Sequence, residues 1–416
     1  MTSGNGAGST DQEILVENLD WDVNFGERAG FNSAKHLGNA RDQAIERGFD
    51  NILIIDVDAH HYESSSMPDF MKYIEDPVLR HTALGLGLKA RGMLFYGGGA
   101  QDNAGRLLRY RGQEEAEGDT HVEVTKVQRA REAIGIDYQI VFPTAMFRLA
   151  HHPDPSIEVA FSYAYTKWWV EEILPQDPRL KTMVYLPLND VEASMRVINE
   201  FGDHPDVVGF VVGSPQYTAV HDNRYMPIYA ELEARDLPIG FHANWNPQER
   251  ILNGMNKFLS VHAIAFALYN IIHTTNLVIN GIPERFPRLK IIMIESGLAW
   301  IPWLMQRLDN EYEMRTNEAP LLRKKPSEYM SENLYYSTQP IELGNMEALE
   351  LTMKMINADS QLMFTSDWPH WDFNLPSTIW DLPFLSEDTK LNILGRTALK
   401  VFPKLADAVQ QQTVEA

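Results

Sequence analysis

Eight short apolar segments, separated by stretches with helical periodicity, constrain the fold of this chain more than any other feature of its sequence. They are rich in Val, Ile, Leu and Phe and apolar at nearly every position, which is typical of strands buried on both faces of a parallel sheet. The predicted strands are Ile52–Val57, Tyr138–Phe142, Leu180–Leu186, Val207–Val212, Leu237–Phe241, Leu289–Ile294, Leu334–Tyr336 and Leu362–Phe364. Helices are predicted between them, for example at Val191–Phe201, Pro227–Arg235 and Ser260–Ile272.

Strand–helix alternation of this kind predicts an α/β fold of the (β/α)8 TIM-barrel type. An open, doubly wound sheet is the alternative. The first strand is not followed by the Gly-x-Gly-x-x-Gly turn of dinucleotide-binding doubly wound folds, which favours the barrel.

The domain organisation predicted from the pattern is one barrel with additions. Residues 1–50 form an N-terminal extension that includes a helix at Ser33–Arg47, residues 51–405 form the barrel, and residues 406–416 form a C-terminal tail. A long insertion follows the first strand, from Tyr62 to about residue 135. Insertions of this length commonly serve as lids, binding loops or oligomer contacts.

The composition limits the chemistry and the partners. The chain has no cysteine, so any metal must be held by His, Asp and Glu, a donor set that suits zinc, manganese or iron. The net charge of -21 disfavours nucleic acid and anionic membranes as partners. The polar N-terminus resembles no signal peptide, and no uninterrupted apolar run reaches about 18 residues, so a cytoplasmic protein without a membrane span is expected.

The end of the first predicted strand carries the strongest candidate for a metal site. Asp58 and His60 lie two residues apart, so the alternation of a strand places both side chains on one side of the chain. A carboxylate and an imidazole placed together can bind one divalent ion. The alternative is an acidic loop that happens to contain histidines.

Polar residues also follow three later strands, and the C-terminal ends of barrel strands are where catalytic residues of this fold lie. His242 follows the fifth strand, Glu295 the sixth and Asp367 the eighth. Each has an ordinary structural explanation: a hydrogen-bonded histidine, a buried ion pair and a turn or helix cap. His262, at the start of the helix after the fifth strand, is a candidate acid/base. Their shared position at strand ends favours one site.

These motifs resemble the amidohydrolase superfamily, in particular the branch of the aminocarboxymuconate semialdehyde and resorcylate decarboxylases. The matching features lie between about Ile52 and Pro403. They are Asp58-x-His60-x-x-Glu63, His242, the run Asn280–Lys290, the run Glu295–Trp303, and Asp367-Trp368-Pro369-His370-Trp371-Asp372.

The resemblance implies a (β/α)8 enzyme that holds one divalent metal in most members. Asp58, His60, His242 and Asp367 fall on the metal-ligand positions of the branch, and His262 falls on the acid/base histidine of many members. Glu295 departs from the decarboxylases, which usually carry histidine there. The resemblance also implies a homo- or hetero-oligomer of barrel subunits. Four tryptophans could serve either an interface or the core: Trp168, Trp169, Trp300 and Trp303.

Three functional hypotheses follow. The leading one is a hydrolase or non-oxidative decarboxylase of a small carboxylate or amide substrate, with His262, Asp367 and Glu295 as catalytic residues. The second is a dinuclear, O₂-activating oxygenase. The third is a non-catalytic partner subunit of a hetero-oligomer. The oxygenase would hold a second ion with Glu63, His61, Glu295 and His262. The sequence identifies no substrate-binding residue, although Arg148 and Arg106 are conceivable carboxylate anchors.

Overall fold

The computed structural model describes residues 33–63, 66–86, 119–216, 218–244, 249, 252–255 and 257–415. Eight parallel strands follow one another around the sheet in chain order. They are β1 Ile55–His61, β2 Tyr138–Pro143, β3 Leu180–Tyr185, β4 Val207–Gly213, β5 Ile239–His242, β6 Ile291–Ile294, β7 Leu334–Ser337 and β8 Leu362–Met363. All eight predicted strands are present.

Backbone hydrogen bonds join the last strand segment to the first and close the barrel. Val57 N donates to Phe364 O at 3.1 Å, and His60 N donates to Trp368 O at 2.7 Å. In the opposite direction, Asp367 N donates to Asp58 O at 2.8 Å. Closure removes both sheet edges. The predicted TIM barrel is therefore confirmed, and the open-sheet alternative is wrong.

The first strand differs from its prediction in a way that matters for the site. It begins at Ile55 rather than Ile52 and continues to His61 rather than ending at Val57. Its polar half pairs with β2, where His60 lies opposite Phe142 and His61 opposite Pro143. The polar residues predicted to follow the strand are thus part of it, so their directions are set by strand geometry.

The helices surround the strands. They are Ser33–Arg47, Met67–Met71, Pro77–Leu86, Val122–Ile134, Pro155–Trp168, Val191–Phe201, Met226–Ala234, Phe258–Ile279, Ile282–Arg285, Trp300–Met314, Pro326–Glu332, Met346–Met355, Ala358–Gln361, Ser377–Trp380, Glu387–Leu391, Thr397–Val401 and Pro403–Glu415. The helix predicted at Ser260–Ile272 is longer than expected. It continues to Ile279 because Leu277 and Val278 are fully buried, and Gly281 ends it with φ of +67°.

Two apolar cores hold the barrel together. Side chains from several strands fill its interior, among them Phe142, Met183 and Ile292. A larger set packs between the strands and the surrounding helices, among them Phe161, Trp168 and Leu232. Because apolar side chains fill the interior, polar chemistry is expected at the strand ends.

The N-terminal helix packs on the barrel. Arg47 pairs with Asp381 at 2.7 Å, and the ring of Phe49 lies 6.1 Å from that of Trp380. Residues 1–32 and 87–118, which include most of the predicted extension, much of the insertion and Arg106, lie outside the described residues. The domain boundaries proposed from the sequence remain a prediction.

One helix in the described part of the chain, Leu259–Ile279, has the length and composition of a membrane span. About 44% of its most apolar window is buried inside the protein. Its buried side includes Val261, Ala265 and Leu277. Core helices of globular proteins have these same properties, so length and composition give little support for a membrane span here.

Glu158 supplies a pH-dependent contribution to stability. It is fully buried and accepts hydrogen bonds from Tyr185 Oη and Asn189 Nδ2, both at 2.7 Å. Burial raises the pKa of Glu158 from 4.5 to about 7. Because the folded-state pKa is the higher one, stability is fully present below about pH 4.5 and is lost as pH rises towards 7.

We expect Glu158→Gln to remove this dependence. Relative to the variant, the wild type should lose ~3 kcal/mol of unfolding free energy between pH 4 and pH 8, because burial raises the pKa of Glu158 from 4.5 to about 7. Urea unfolding across this pH range measures the difference, with the exposed Glu347→Gln as control. Parallel pH profiles for the wild type and Glu158→Gln would contradict the expectation.

Candidate metal centre

Asp58 and His60 project from one face of β1 towards His242, the last residue of β5. His60 Nε2 lies 3.2 Å from Asp58 Oδ1 and 3.2 Å from His242 Nε2. His242 Nε2 lies 3.3 Å from Asp58 Oδ1. All three side chains are almost completely buried. Asp58 and His60 thus form one cluster with His242, which lies 182 positions after His60 in the sequence.

The loop after β8 adds a second overlapping group. Asp367 Oδ1 lies 3.4 Å from His60 Nε2 and 2.6 Å from His370 Nδ1. The rings of His60 and His370 are 4.3 Å apart. His370 was not among the site residues predicted from the sequence, although it lies within the motif that carries the resemblance. Its spacing of three from Asp367 across a proline turn is the signal that could have identified it.

Glu295 lies on the β6 side of this cluster. Its Oε2 is 3.4 Å from His242 Nδ1, and its Oε1 is 3.9 Å from His370 Nδ1. It is 1% exposed. The cluster therefore contains six side chains that are candidate ligands: Asp58, His60, His242, Glu295, Asp367 and His370.

Two of these carboxylate residues have a left-handed backbone conformation. Glu295 and Asp367 both have φ of 56° at the ends of their strands. This region costs an L-residue of order 1 kcal/mol or more, and such residues concentrate at functional sites. The Ser337 hydroxyl, which accepts from Glu295 N at 2.9 Å, helps to hold the first of them.

The electrostatics favour an ionised Asp58. Burial acts to raise the pKa of Asp58, but the neighbouring His242 and His60 act in the opposite direction and hold it below its usual range. A carboxylate that stays charged while fully buried needs compensating positive charge. Protonated histidines or a bound cation can supply that charge.

Asp56 connects the strands that carry the two aspartates. Its carboxylate accepts from Asp58 N at 3.2 Å, from Ser366 N at 2.8 Å and from Ser366 Oγ at 2.5 Å. Gln139 Nε2 of β2 donates to it at 3.2 Å. Burial raises the pKa of Asp56 to about 7, against these hydrogen bonds. Asp56 therefore ties β1 and β2 to the residue before Asp367.

The structure does not bring Glu63 and His61 to the cluster as second-metal ligands. Alternation along β1 points His61 away from His60. Its Nε2 lies 2.7 Å from Tyr165 Oη, and its ring stacks on Trp169 at 4.3 Å. The Glu63 carboxylate accepts hydrogen bonds from three backbone N–H groups after β2. These contacts give no support to a second ion held by the two residues, and that hypothesis stays an untested prediction.

His262 lies on the rim and not among the six clustered side chains. Its Nε2 is 3.4 Å from Asp372 Oδ2, two residues after His370, and its ring packs on Phe266 at 4.5 Å. Gln339 Nε2 donates to Asp372 Oδ2 at 3.1 Å. The His262 side chain is 13% exposed. The contacts of His262 are thus with Asp372 and Phe266, and its predicted roles as an acid/base and as a second-metal ligand stay predictions.

The residues present fit a divalent cation. Two groups of three buried side chains, Asp58–His60–His242 and His60–Asp367–His370, each place donor atoms within 4.8 Å of one another. Asp58 Oδ2 is buried without a hydrogen-bond partner in the described part of the chain. A carboxylate–imidazole set without thiolate suits manganese, zinc or iron. The imidazoles also have fixed outer partners, such as Ala243 O at 2.9 Å from His242 Nδ1.

A family model described as amidohydrolase matches residues 119–404, which is more than half of the chain. The gamma-resorcylate decarboxylase of Rhodococcus jostii is 26% identical over 249 residues, which cover 56% of this chain and 74% of the relative. That of Rhizobium sp. is 28% identical over 254 residues, or 57% and 74%.

A solved structure similar to this fold is the manganese-bound 5-carboxyvanillate decarboxylase of Novosphingobium aromaticivorans. It has a TM-score of 0.62 and 18% identity, and covers 85% of this chain and 97% of its own. At this level of identity the likeness shows the barrel fold.

Proposed function

The chain belongs to the amidohydrolase family, and from this premise we propose that it is a metal-dependent enzyme that removes CO₂ from a small aromatic carboxylate without oxidation. The six buried donor side chains at the ends of β1, β5, β6 and β8 carry the proposal. The relatives support it, because they are named as decarboxylases of aromatic acids.

Asp58, His60, His242 and Asp367 would hold the ion, with His370 and Glu295 beside them. When bound, the ion supplies positive charge that stabilises negative charge developing on substrate oxygens. Manganese is the metal proposed, because a similar structure contains it. Zinc and iron suit the same donors. Both triads use His60 Nε2, whose single lone pair can bind one ion, so we propose one ion rather than two.

The remaining chemistry falls to residues on the rim. Protonated His262 would donate its proton to the ring carbon as the carbon–carboxylate bond breaks, so that the bond's electron pair ends on that carbon and CO₂ leaves. Asp372 orients the imidazole and stabilises its charged form. Arg148 is proposed to anchor the substrate carboxylate. It is half-buried and follows Phe147, whose ring stacks on His242 at 4.1 Å.

Glu295 remains the distinguishing residue of the site. It brings negative charge next to His242 and His370, where the decarboxylases usually carry histidine. We propose that its negative charge keeps a proton at the site, while Ala243 O, at 2.9 Å from Nδ1, orients His242. The same carboxylate is compatible with hydrolysis of a C–N or C–C bond, which stays the second candidate reaction.

The first experiment is elemental analysis followed by an activity panel. Manganese-loaded protein would be incubated anaerobically with 2,6-dihydroxybenzoate, 5-carboxyvanillate and the corresponding amides, and CO₂ release would be measured. CO₂ from at least one aromatic acid supports the proposal. Hydrolysis of the amides without CO₂ release from any acid would contradict the decarboxylase and favour a hydrolase. Turnover that needs O₂, with two ions per chain, would favour the oxygenase, and no turnover with any substrate would favour a partner subunit.

Replacing His262 tests its assigned role. We expect His262→Ala to lower kcat by roughly 100-fold or more, the usual contribution of a general acid. Metal content should be unchanged, because His262 lies outside the cluster of donors. Asp372→Asn removes the negative charge that stabilises protonated His262. The decline of kcat with rising pH should therefore begin at a lower pH in this variant. A His262→Ala protein with normal metal content and full turnover would refute the assignment.

The cellular setting is also a proposal. We infer a cytoplasmic enzyme that assembles from barrel subunits, since branch members are commonly oligomers. Trp168 and Trp169 are buried in the core, whereas Trp303 is 54% exposed and is available for such a contact. Mass measurement in solution, with Trp303→Ala as the variant, tests the assembly.

A further inference from the structure

We infer that Glu63 is a positioning residue for the metal centre, acting through the backbone loop that follows β2. The inference rests on the proposed function, because it concerns the histidines assigned to the metal. Glu63 lies beyond the end of β1, and its side chain is 1% exposed. It takes no part in the donor cluster, so the assigned chemistry leaves its burial unexplained.

The Glu63 carboxylate accepts hydrogen bonds from the backbone N–H groups of three consecutive residues. Its Oε2 accepts from Thr144 N at 3.0 Å, and its Oε1 accepts from Ala145 N and Met146 N, each at 2.6 Å. Hydrogen bonds to an ionised acceptor are shorter and stronger than neutral ones. Three such bonds to consecutive residues set the path of the loop as it leaves the barrel.

The first residue of this loop contacts two histidines of the cluster. Thr144 Oγ1 donates to His61 O at 2.9 Å, which leaves its lone pairs available to the rings. It lies 3.5 Å from His60 Nδ1 and 3.4 Å from His370 Nε2. These are the ring nitrogens that face away from the cluster. Partners at such nitrogens fix the tautomer and ring orientation of metal-binding histidines.

The end of the loop contacts a third histidine. The Phe147 ring stacks on His242 with centroids 4.1 Å apart and an angle of 17° between the planes. Pro143 O, just before the loop, lies 3.3 Å from His60 Nδ1. Glu63 thus sets a segment that touches every histidine of the cluster, and its effect on the metal is indirect.

Glu63→Gln tests the inference because it keeps the size of the side chain but replaces one acceptor oxygen with an amide NH₂. That group would face a backbone N–H, so one or more of the three bonds is lost. We expect Mn²⁺ affinity to fall roughly 10-fold or more, as for outer partners of metal ligands. Electron paramagnetic resonance of free Mn²⁺ during titration measures the affinity without any substrate.

Two further variants separate positioning from folding. Thr144→Val leaves Glu63 intact but removes the hydroxyl between His60 and His370, and it should lower Mn²⁺ affinity as well. Asp137→Asn is the matched control, because Asp137 accepts from Ile54 N at 2.8 Å at the opposite end of the barrel. It should lower stability in urea while Mn²⁺ affinity stays at the wild-type value.

The outcomes are distinct. A folded Glu63→Gln protein with wild-type Mn²⁺ affinity overturns the inference. If that variant does not fold, unchanged affinity in Thr144→Val overturns it instead. Wild-type protein that binds no Mn²⁺, Zn²⁺ or Fe²⁺ overturns the proposed function, and this inference with it. Wild-type binding with weakened binding in both variants, and not in Asp137→Asn, supports both.

Discussion

His60→Ala is expected to abolish metal binding and to lower turnover at least ~1,000-fold. The charge stabilisation supplied by a catalytic metal is several kcal/mol, and each 1.4 kcal/mol corresponds to a factor of ten in rate. His60 is the most consequential position because its Nε2 lies 3.2 Å from Asp58 Oδ1 and 3.4 Å from Asp367 Oδ1. It is also the member shared by both donor triads.

Metal content by elemental analysis and turnover of the best substrate are measured together for this variant. His81→Ala is the control, since His81 is exposed on the helix Pro77–Leu86. Far-UV circular dichroism establishes that His60→Ala is folded. Retained metal with retained turnover would remove His60 from the site. Lost metal with full turnover would mean that the reaction needs no ion.

Trp168→Ala is expected to destabilise the fold by ~3–5 kcal/mol, the usual effect of truncating a buried tryptophan in a packed core. Trp168 is fully buried in an aromatic cluster behind β1. Its ring lies 6.0 Å from Phe70, 6.0 Å from Tyr165 and 5.7 Å from Trp169. Its removal leaves a large cavity, because the surrounding rings are held by their own contacts.

Urea unfolding followed by circular dichroism gives the free energy. Trp303→Ala is the matched control, the same substitution at a side chain that is 54% exposed, and should change stability by less than about 0.5 kcal/mol. Equal losses in the two variants would show that Trp303 is buried in solution by a contact with another subunit. A small loss in Trp168→Ala would contradict the core assignment.

The barrel could be predicted because the burial of a strand determines which residue types its sequence contains. A strand covered on both faces must be apolar at almost every position, and eight such runs alternate with helical patterns. The helix at Val191–Phe201 was predicted with its true limits, and in the structure Asp190 caps its start and accepts from Ala193 N at 2.9 Å. The limits of β1 could not be predicted, because its polar half is a strand only through pairing with β2.

Part of the candidate site could also be predicted from the sequence. Strand ends of a closed barrel converge, so Asp58, His242, Glu295 and Asp367 were expected to meet, and the structure brings them together. His370 was not selected because a histidine in a loop has no periodic signal. Alternation along β1 already contained the information that His61 faces the opposite side from His60.

The sequence by itself determined the fold class and the strand ends at which polar chemistry is concentrated, because burial and alternation are local properties of the chain. Only the tertiary structure decided which polar groups contact one another. In the structure the Glu63 carboxylate, a candidate ligand, accepts hydrogen bonds from the backbone. His370, a residue of the loop after β8, lies in the cluster. The physical reason is that a hydrogen bond or a metal site depends on distances of about 3 Å between residues far apart in sequence, and closure of the barrel sets those distances.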